Sequence, residues 1–304
     1  MDLDHLRYFR TIVEHGSMTA AAKKLGVAQP TLTSAVKKLE EQTGSTLLLR
    51  NARGVSVTPT GAALAQAASE VLAMLDETVE RIRGLDHDDE GRFVIGCHES
   101  LGAYFLPEFM HAFLGAAPRI ELTLWNGTSA DVREAVLRRD VHFGLVVNPL
   151  PHDELVLVDA FRDAVAVVGR ADRIARAHTP EATLALVREG PLVFAARVEQ
   201  CRQIVDALGG LGLLPHRLIE TGDLELTKSL ILAGVGVGIL PRRVAAYGHD
   251  GALVVLDDTL PQIADRIVMC WRADSPRTVA WTRTKEALLE HARKLEPIPA
   301  ERRR

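Results

Sequence analysis

Apolar residues in the first 44 positions recur at the spacing of α-helices and predict three short helices. The first lies in LDHLRYFRTIVEH, and the second carries a compact face of alanines that ends at Gly26, a residue suited to a sharp helix end. The third has Pro30 in its first turn, where the missing N–H costs little, and an apolar stripe made by Leu32, Val36 and Leu39. Two short helices with alanines at their crossing and a glycine at the turn are typical of a helix-turn-helix.

Beyond the third helix the pattern changes to two short runs and then to one long helix. The run STLLLR, a strand or short helix, and the strand-like VSVT flank the turn NARG, so they predict a wing that carries Arg50 and Arg53. Thr58 and Pro59 suit the start of a long helix. Its apolar residues step by four, three, four, four and three, as in the seam of a coiled coil: Leu64, Ala68, Val71, Leu75, Val79 and Ile82. The stripe predicts a dimerisation helix.

After the charged stretch DHDDEGR, which reads as a linker, short β-type runs alternate with helical ones to the end of the chain. The β-type runs include RFVIGCH, RIELTLW, HFGLVV, LVLVDAF and AVAVVG, and the first of them is followed by a helix predicted from Leu101. This alternation predicts an α/β domain with mainly parallel sheets, folded as one large unit or as two lobes.

Composition narrows the class of protein. The chain has 304 residues, of which 47% are hydrophobic and 25% charged, so it can bury substantial cores. Its apolar runs are too short to span a bilayer and its N-terminus lacks a secretory apolar core, so we expect a cytoplasmic protein without a membrane partner. Cys97, Cys201 and Cys270 lie far apart, without a CxxC pair or a histidine cluster, so neither a disulfide framework, a zinc site nor a cofactor is indicated.

Charge is distributed unevenly along the chain. The net charge is -4, yet the first 62 residues carry eight basic side chains against five acidic ones. A small basic module joined to a larger acidic one fits nucleic-acid contact at one end, although an ordinary solvated surface explains a difference of this size equally well. Charge alone therefore does not decide the function.

The motifs along nearly the whole chain resemble those of the LysR-type transcriptional regulators. The resemblance rests on LRYFRTIVEHGSMTAAAKKLGVAQPTLTSAVKKLEEQTGSTLLLR and VTPTG at the N-terminus, and on IGCHESLGAYFLPEFMHAF, NGTSADVREAVLRRDVHFGLVV and GDLELTKSLILAGVGVGILP further on. It implies a winged helix-turn-helix in residues 1–58, a linker helix for dimerisation in residues 59–87, and a two-lobed, periplasmic-binding-protein-like α/β effector domain in residues 88–304. The lobes would comprise about residues 88–163 with 266–304, and about residues 164–265.

The resemblance also implies a function and its partners. A member of this family is a DNA-binding regulator rather than an enzyme; it forms a homodimer through the linker helix and a homotetramer, and it binds a double-stranded DNA operator and a small-molecule effector. A recognition helix in the major groove presents its N-terminal side chains to base edges, where Gln29 can pair with adenine, whereas lysines and arginines suit phosphates. The candidate DNA-contacting residues are Gln29, Pro30, Thr31, Thr33, Ser34, Lys37, Lys38, Arg50 and Arg53.

Two predicted strand ends, in GCHES and NGTSAD, carry hydroxyl residues just before a helix. The N–H groups of a helix N-terminus attract carboxylates, so Ser100, Thr128 and Ser129 are candidates for holding an anionic effector, although each could equally be a helix cap. Similarity to the family, whose effectors sit between the lobes, favours binding. The candidate effector-contacting residues are His98, Ser100, Leu101, Gly102, Thr128 and Ser129 on one lobe, and Ala196, Arg197, Val198, Gly222 and Asp223 on the other.

Alternative functions remain open at this point. Cys201 begins a predicted helix, whose dipole could lower the pKa of its thiol and favour oxidation, as in the peroxide-sensing branch of the family; the other interpretation is a core or pocket-lining thiol. A solute-binding protein or an enzyme could use the same two-lobed fold, but the N-terminal DNA-binding module and the missing secretory signal argue against both. His98, Glu99 and Ser100 do not predict a hydrolase, because adjacent residues at one strand end cannot all converge on a reacting atom.

Overall fold

A computed structural model describes residues 1–51, 54–86, 90–177, 179–249 and 251–295. Internal contacts divide the chain into two compact units, residues 1–88 with 138–140, and residues 89–137 with 141–304. Across the described ranges, no helix is both long and apolar enough to cross a membrane. The predicted linker includes residues 87–89, which lie outside the described residues.

The first unit is a small helical domain with a β-hairpin and one long helix. Its elements are α1 (Leu3–His15), α2 (Met18–Leu25), α3 (Gln29–Thr43), β1 (Leu48–Asn51), β2 (Gly54–Val57) and α4 (Pro59–Asp86). The first three helices each end at a glycine with a positive φ (Gly16, Gly26 and Gly44), a backbone conformation in which a side chain would be strained. The core between them is built on Phe9 and Ile12 of α1.

The second unit is an α/β domain. Its elements follow in this order: β3 (Gly91–His98), α5 (Glu99–Gly102), α6 (Leu106–Ala116), β4 (Ile120–Gly127), α7 (Ser129–Leu137), β5 (Phe143–Val147), β6 (Leu155–Arg170), α8 (Ala171–Ile174), α9 (Pro180–Glu189), β7 (Leu192–Ala195), α10 (Glu199–Gly210), β8 (Leu218–Thr221), α11 (Leu224–Leu232), β9 (Val237–Pro241), α12 (Arg242–Ala246), β10 (Leu253–Val255), β11 (Ile263–Arg272) and α13 (Val279–Lys294).

Within the described residues, the strands of this unit form one sheet in the order β4-β3-β5-β11-β6-β9-β7-β8, with β10 paired to β6. Strand β3 runs parallel to β4 and β5, and β7 runs parallel to β8 and β9, so two parallel groups lie at the two ends of the sheet. Between them β6 and β11 pair with each other in antiparallel fashion, with a register shift between Ile267 and Val268. Strand β11 also pairs with β5 of one group and β6 with β9 of the other, so these two strands join the lobes.

Three details differ from the sequence-based expectation. The runs LVLVDAF and AVAVVG are one 16-residue strand, because the charged Arg162 and Asp163 interrupt its apolar pattern without ending its pairing. The sheet is mixed rather than mainly parallel, because both crossing strands pair antiparallel. The helix predicted from Leu101 is the four-residue α5, and the longer α6 begins at Leu106.

Candidate functional sites

Helix α3 buries its apolar stripe and exposes its polar residues. Leu32 and Leu39 are fully buried and Val36 nearly so, as the spacing predicts. The candidate DNA-contacting residues of the helix lie at its surface: Gln29, Pro30, Thr31, Ser34, Lys37 and Lys38 are exposed and Thr33 is half-buried. The apolar stripe therefore fixes the helix on the domain and leaves its polar side chains available to a groove of DNA.

The wing is attached to the same small domain by backbone and side-chain hydrogen bonds. The N–H of Val55 donates to the carbonyl of Gly16 at 3.0 Å, and Glu40 Oε1 accepts the N–H of Leu47 at 2.8 Å. In the hairpin the backbone of Arg50 lies opposite Val55, whereas Arg53, the other candidate basic residue of the wing, lies outside the described residues. These bonds hold the hairpin against the end of α1 and the side of α3.

Helix α4 has two apolar regions with different surroundings. In its first half Ala68 and Leu72 are 1% exposed and pack into the core of the small domain, with Leu64 packed against them. From Val71 onwards the helix also carries exposed apolar residues: Val71, Val79 and Ile82 are 47%, 38% and 56% exposed, and Met74 is 56% exposed. The predicted stripe is therefore split, since its first residues are covered by the chain's own domain and the later ones are not.

At the end of β3, His98 and Ser100 form a local hydrogen-bonded pair. His98 Nδ1 lies 2.7 Å from Ser100 Oγ and accepts the N–H of Ser100 at 3.2 Å. Burial lowers the pKa of His98 to about 4, so the ring is neutral at pH 7 and carries its proton on Nε2. Leu101 is 1% exposed and its side chain belongs to the core, so only its backbone N–H is a candidate donor to a ligand. Gly102 lies beside Asn126, whose Nδ2 would be 3.1 Å from a Cβ at that position.

Thr128 and Ser129, at the end of β4, have different hydrogen-bond roles. Thr128 Oγ1 donates to Asp131 Oδ2 at 2.6 Å and accepts the N–H of Asp131 at 3.2 Å, a reciprocal arrangement that caps α7. Ser129 Oγ accepts the N–H of Val147 at 2.9 Å and so joins the ends of β4 and β5. Because Ser129 is the acceptor in that bond, its hydroxyl proton is available to a further acceptor.

The candidate residues of the other lobe lie after β7 and β8. Ala196 and Val198 are half-buried, Arg197 is exposed, and the carbonyl of Ala196 accepts Arg202 Nη1 at 2.9 Å. Gly222 and Asp223 are exposed, and Asp223 Oδ1 accepts the N–H of Leu226 at 2.7 Å, which makes it the cap of α11. Among these residues only Asp223 caps a helix through its side chain, and a ligand role for all five stays a prediction.

Two acidic residues that sequence reasoning missed lie where the strands cross between the lobes. Asp163 of β6 and Asp265 of β11 stand directly opposite each other and are 4% and 5% exposed. Burial raises the pKa of both carboxyls, that of Asp163 to about 7. Asp265 Oδ1 accepts Asn148 Nδ2 at 2.8 Å from one lobe and Gln200 Nε2 at 2.9 Å from the other. The sequence did contain a signal for these buried carboxylates, because each is an acidic residue inside an otherwise apolar strand pattern.

The cysteines do not fit the redox alternative. Cys97, Cys201 and Cys270 are all fully buried, and burial raises the pKa of each thiol to about 12. Cys201 does lie in the first turn of α10, but removal from water outweighs any effect of the helix dipole on its thiolate. The alternative of an activated thiol at Cys201 is therefore not favoured, and the thiol is a core residue. Among the described residues, no cluster of His, Cys, Asp and Glu is suited to hold a metal ion.

Two family models match the chain. The one described as "LysR substrate binding domain" matches residues 86–293, and the one described as "Bacterial regulatory helix-turn-helix protein, lysR family" matches residues 3–62. Together they cover most of the sequence and follow one another in the order of the two structural units.

Similar proteins and structures extend over almost the same length. The HTH-type transcriptional regulator YofA of Bacillus velezensis is 27% identical over 266 residues, 87% of this chain and 89% of that protein. The probable cat1 operon transcriptional activator of Acinetobacter lwoffii is 26% identical over 298 residues, 96% of this chain and 97% of that protein. The crystal structure of CbnR, a LysR family transcriptional regulator, has a TM-score of 0.68 at 22% identity and covers 96% of this chain and 99% of its own. That of full-length CbnR with its target DNA has a TM-score of 0.67 at 22% identity and covers 97% of this chain and 99% of its own.

Proposed function

The chain belongs to the family of LysR-type transcriptional regulators, and we propose that it reads its operator with α3 as a homodimer joined by the exposed apolar residues of α4 between Val71 and Ile82. The observation that supports the readout is the polar surface of α3, where an amide, hydroxyls and two lysines are exposed on a helix anchored by a buried stripe. Amide and hydroxyl groups suit base edges and lysines suit phosphates. We also propose that it works in the cytoplasm, where it would meet its DNA operator.

The proposed dimer explains the unusual surface of α4. Val71, Met74 and Ile82 expose a large apolar area on one side of a helix, and such an area favours contact with another protein surface. A second copy of the same helix presents the same residues, which is the condition for a two-fold symmetric interface. A two-fold dimer places two copies of α3 on DNA, so its operator contains two related half-sites.

A tetramer needs a second surface, for which the edges of the sheet are candidates. Strand β4 ends the sheet on one side and exposes Leu124 and Trp125 beside a surface cavity of about 440 Å³. Strand β8 ends it on the other side, with Leu218 and the preceding Leu214 exposed. Exposed edge strands with apolar side chains are natural sites for contacts between copies.

The effector is proposed to place a carboxylate at the strand ends of the first lobe. Three observations support this position: the hydroxyl proton of Ser129 is free to donate, the neutral ring of His98 has an Nε2–H, and Ser129 links the ends of β4 and β5 on either side of β3, which carries His98. In sheets of this kind, ligands bind at the carboxyl ends of the strands. These neutral donors would hold an anion by hydrogen bonds rather than by a buried cation.

The experiment that tests the operator proposal is selection of bound fragments from random-sequence DNA by the purified protein. We expect the enriched sequences to share two related half-sites whose centres lie about 10 base pairs apart or at a multiple of that distance. Enrichment of single half-sites without a second copy would contradict the dimer. A protein that retains every sequence equally would contradict readout by α3.

A further inference from the structure

The crossing of β6 and β11 holds two buried carboxylates on one face of the sheet. Asp163 and Asp265 are opposite each other in an antiparallel pair, so their side chains point to the same face, with Cβ atoms about 5 Å apart. Like charges at this distance repel, and each carboxylate also loses its hydration. Packing alone does not explain this pair, because two amides or apolar residues would fill the space at a lower cost.

A buried hydroxyl without a hydrogen-bond partner lies near the carboxylates of Asp163 and Asp265. Tyr104 is 5% exposed, and within the described residues its Oη has no partner. Its ring packs edge-on against Phe161 at 6.3 Å, and Phe161 shares a face of β6 with Asp163, two positions away. The carboxylates of Asp163 and Asp265 both raise the pKa of Tyr104, after burial itself. Burying a hydroxyl without a hydrogen-bond partner costs free energy, and a bound group that forms the missing hydrogen bond removes this cost.

The pair lies next to an exposed residue and keeps an excess of negative charge. Asn148, whose Nδ2 donates to Asp265 Oδ1, is exposed, while both carboxylates are themselves buried. Arg243 lies near Asp163 and lowers the pKa of that carboxyl, while its guanidinium donates to the carbonyl of Arg162 at 3.1 and 3.2 Å. One guanidinium offsets the charge of one carboxylate and leaves the other uncompensated when both are ionised.

We infer that this crossing binds a protonated amine of the effector, with Asp163 and Asp265 as its counter-charges and the Tyr104 hydroxyl as a third oxygen. An ammonium group has three N–H donors and no acceptor, which matches two carboxylates and one unpaired hydroxyl. This inference rests on the proposed effector site between the lobes and narrows its ligand. With a carboxylate at the strand ends of the first lobe, the effector is an amino acid or a similar zwitterion.

Binding is coupled to a proton. The other titratable groups around the pair are Tyr104, Cys97 and Cys201, whose pKa values are all raised by burial, and Arg243. Burial raises the pKa of Asp163 to about 7, so this carboxyl changes its charge near neutral pH. When Asp163 is protonated, the amine must displace that proton, which is released to the solvent. Affinity for an amine therefore falls about tenfold for each pH unit below the pKa of that carboxyl.

The test uses the full-length protein and sets of matched compounds. Each set contains an amino acid, its deaminated acid and its decarboxylated amine, for example phenylalanine, 3-phenylpropionate and phenethylamine, across the standard amino acids. Thermal shift at pH 8 identifies binders, and calorimetry at pH 5, 6 and 8 measures their affinity. The variants are Asp163→Asn and Asp265→Asn, with Asp206→Asn on the exposed side of α10 as the matched control.

We expect at least one amino acid to bind at least tenfold more tightly than its deaminated acid, and both Asn variants to lose that difference while Asp206→Asn keeps it. Asp163→Asn should also lose the pH dependence, which a merely structural residue would not control. Deaminated acids that bind as well as the amino acids would overturn this inference and leave the proposed carboxylate site intact. Decarboxylated amines that bind as well as the amino acids would overturn the carboxylate site and support the amine site. Absence of any shift from the amine-bearing compounds would overturn the amine site.

Discussion

Gln29 and Lys37 lie on the same helix and have different predicted tasks. Gln29, at the N-terminal end of α3, is proposed to read a base edge, whereas Lys37, two turns later, is proposed to contact phosphate. We expect Gln29→Ala to weaken the selected operator by about 1–3 kcal/mol and to leave binding to random DNA nearly unchanged. Lys37→Ala should weaken both kinds of DNA and reduce the salt slope by about one unit.

Quantitative gel-shift titrations over a range of salt concentrations distinguish the two effects. Lys37 also forms an exposed ion pair with Glu41 at 3.7 Å, so Glu41→Ala serves as the control for loss of that pair. Exposed pairs of this kind contribute little to stability. Equal losses on operator and random DNA in Gln29→Ala would remove this residue from the readout.

At the scale of residues, the sequence predicted which side chains are exposed better than it predicted which distant residues lie in contact. Helical spacing identified the buried stripe of α3 and the polar residues around it, because the period of a helix determines which side chains share a face. It did not identify the pairing of Asp163 with Asp265, which are 102 positions apart and meet only through the register of two strands. It also left two interpretations of Cys201 open, because a position at the start of a helix says nothing about how deeply the thiol is buried.

At the scale of elements, the exposed apolar residues of α4 allow a direct test of assembly. If Val71 lies in a dimer interface, Val71→Glu places a carboxylate in an apolar contact, and the dimers should dissociate. We expect sedimentation velocity to show a smaller species for the variant at the same protein concentration. Its affinity for the two-half-site operator should fall at least tenfold, whereas its affinity for an isolated half-site should change little.

A control on the same helix separates loss of the interface from damage to the helix. Gln66 is exposed and lies about 140° around the helix axis from Val71, so Gln66→Glu adds the same charge on another face. This variant should sediment as the unmodified protein does. If Val71→Glu also sediments unchanged, the exposed stripe is not the dimer contact.

The same helix shows why a pattern of apolar residues is an incomplete guide to assembly. The spacing of Leu64, Ala68 and Val71 predicts one continuous seam, yet the first two of these residues pack on the chain's own domain and Val71 remains exposed. A periodic stripe indicates which face is apolar, but it does not indicate which partner covers each part of it. The long strand β6 carries a similar lesson, since charged residues in its middle made it look like two strands.

At the scale of the whole molecule, the buried acid at the crossing makes stability depend on pH. Burial raises the pKa of Asp163 to about 7 in the folded state, whereas an aspartate in an unfolded chain titrates near 3.9. The stabilising contribution of its protonated form is complete below about pH 4 and is lost as the pH rises through 7. His98 and His142, whose pKa values burial lowers to about 4, act in the opposite direction between pH 4 and 6.5.

Comparison with Asp163→Asn isolates this contribution, because both proteins share the two histidines. Relative to the variant, the wild type should lose roughly 2–3 kcal/mol of unfolding free energy between pH 5 and pH 8. Urea unfolding followed by tryptophan fluorescence measures it, since Trp125, Trp271 and Trp281 all lie in the second unit. A difference between the two proteins that stays constant with pH would show that Asp163 is not the titrating group.

The continuous strand β6 also limits how such a protein can be recombined. Its residues 165–168 pair with β9 in one lobe, and its earlier residues pair with β11 towards the other, so a single backbone serves two halves of the sheet. A graft that exchanges one lobe at Asp163 or Asp265 would divide both shared strands and separate the two carboxylates from their native neighbours. Effector specificity should therefore be inherited with both lobes together, and chimaeras should succeed when the junction lies before Gly91 instead.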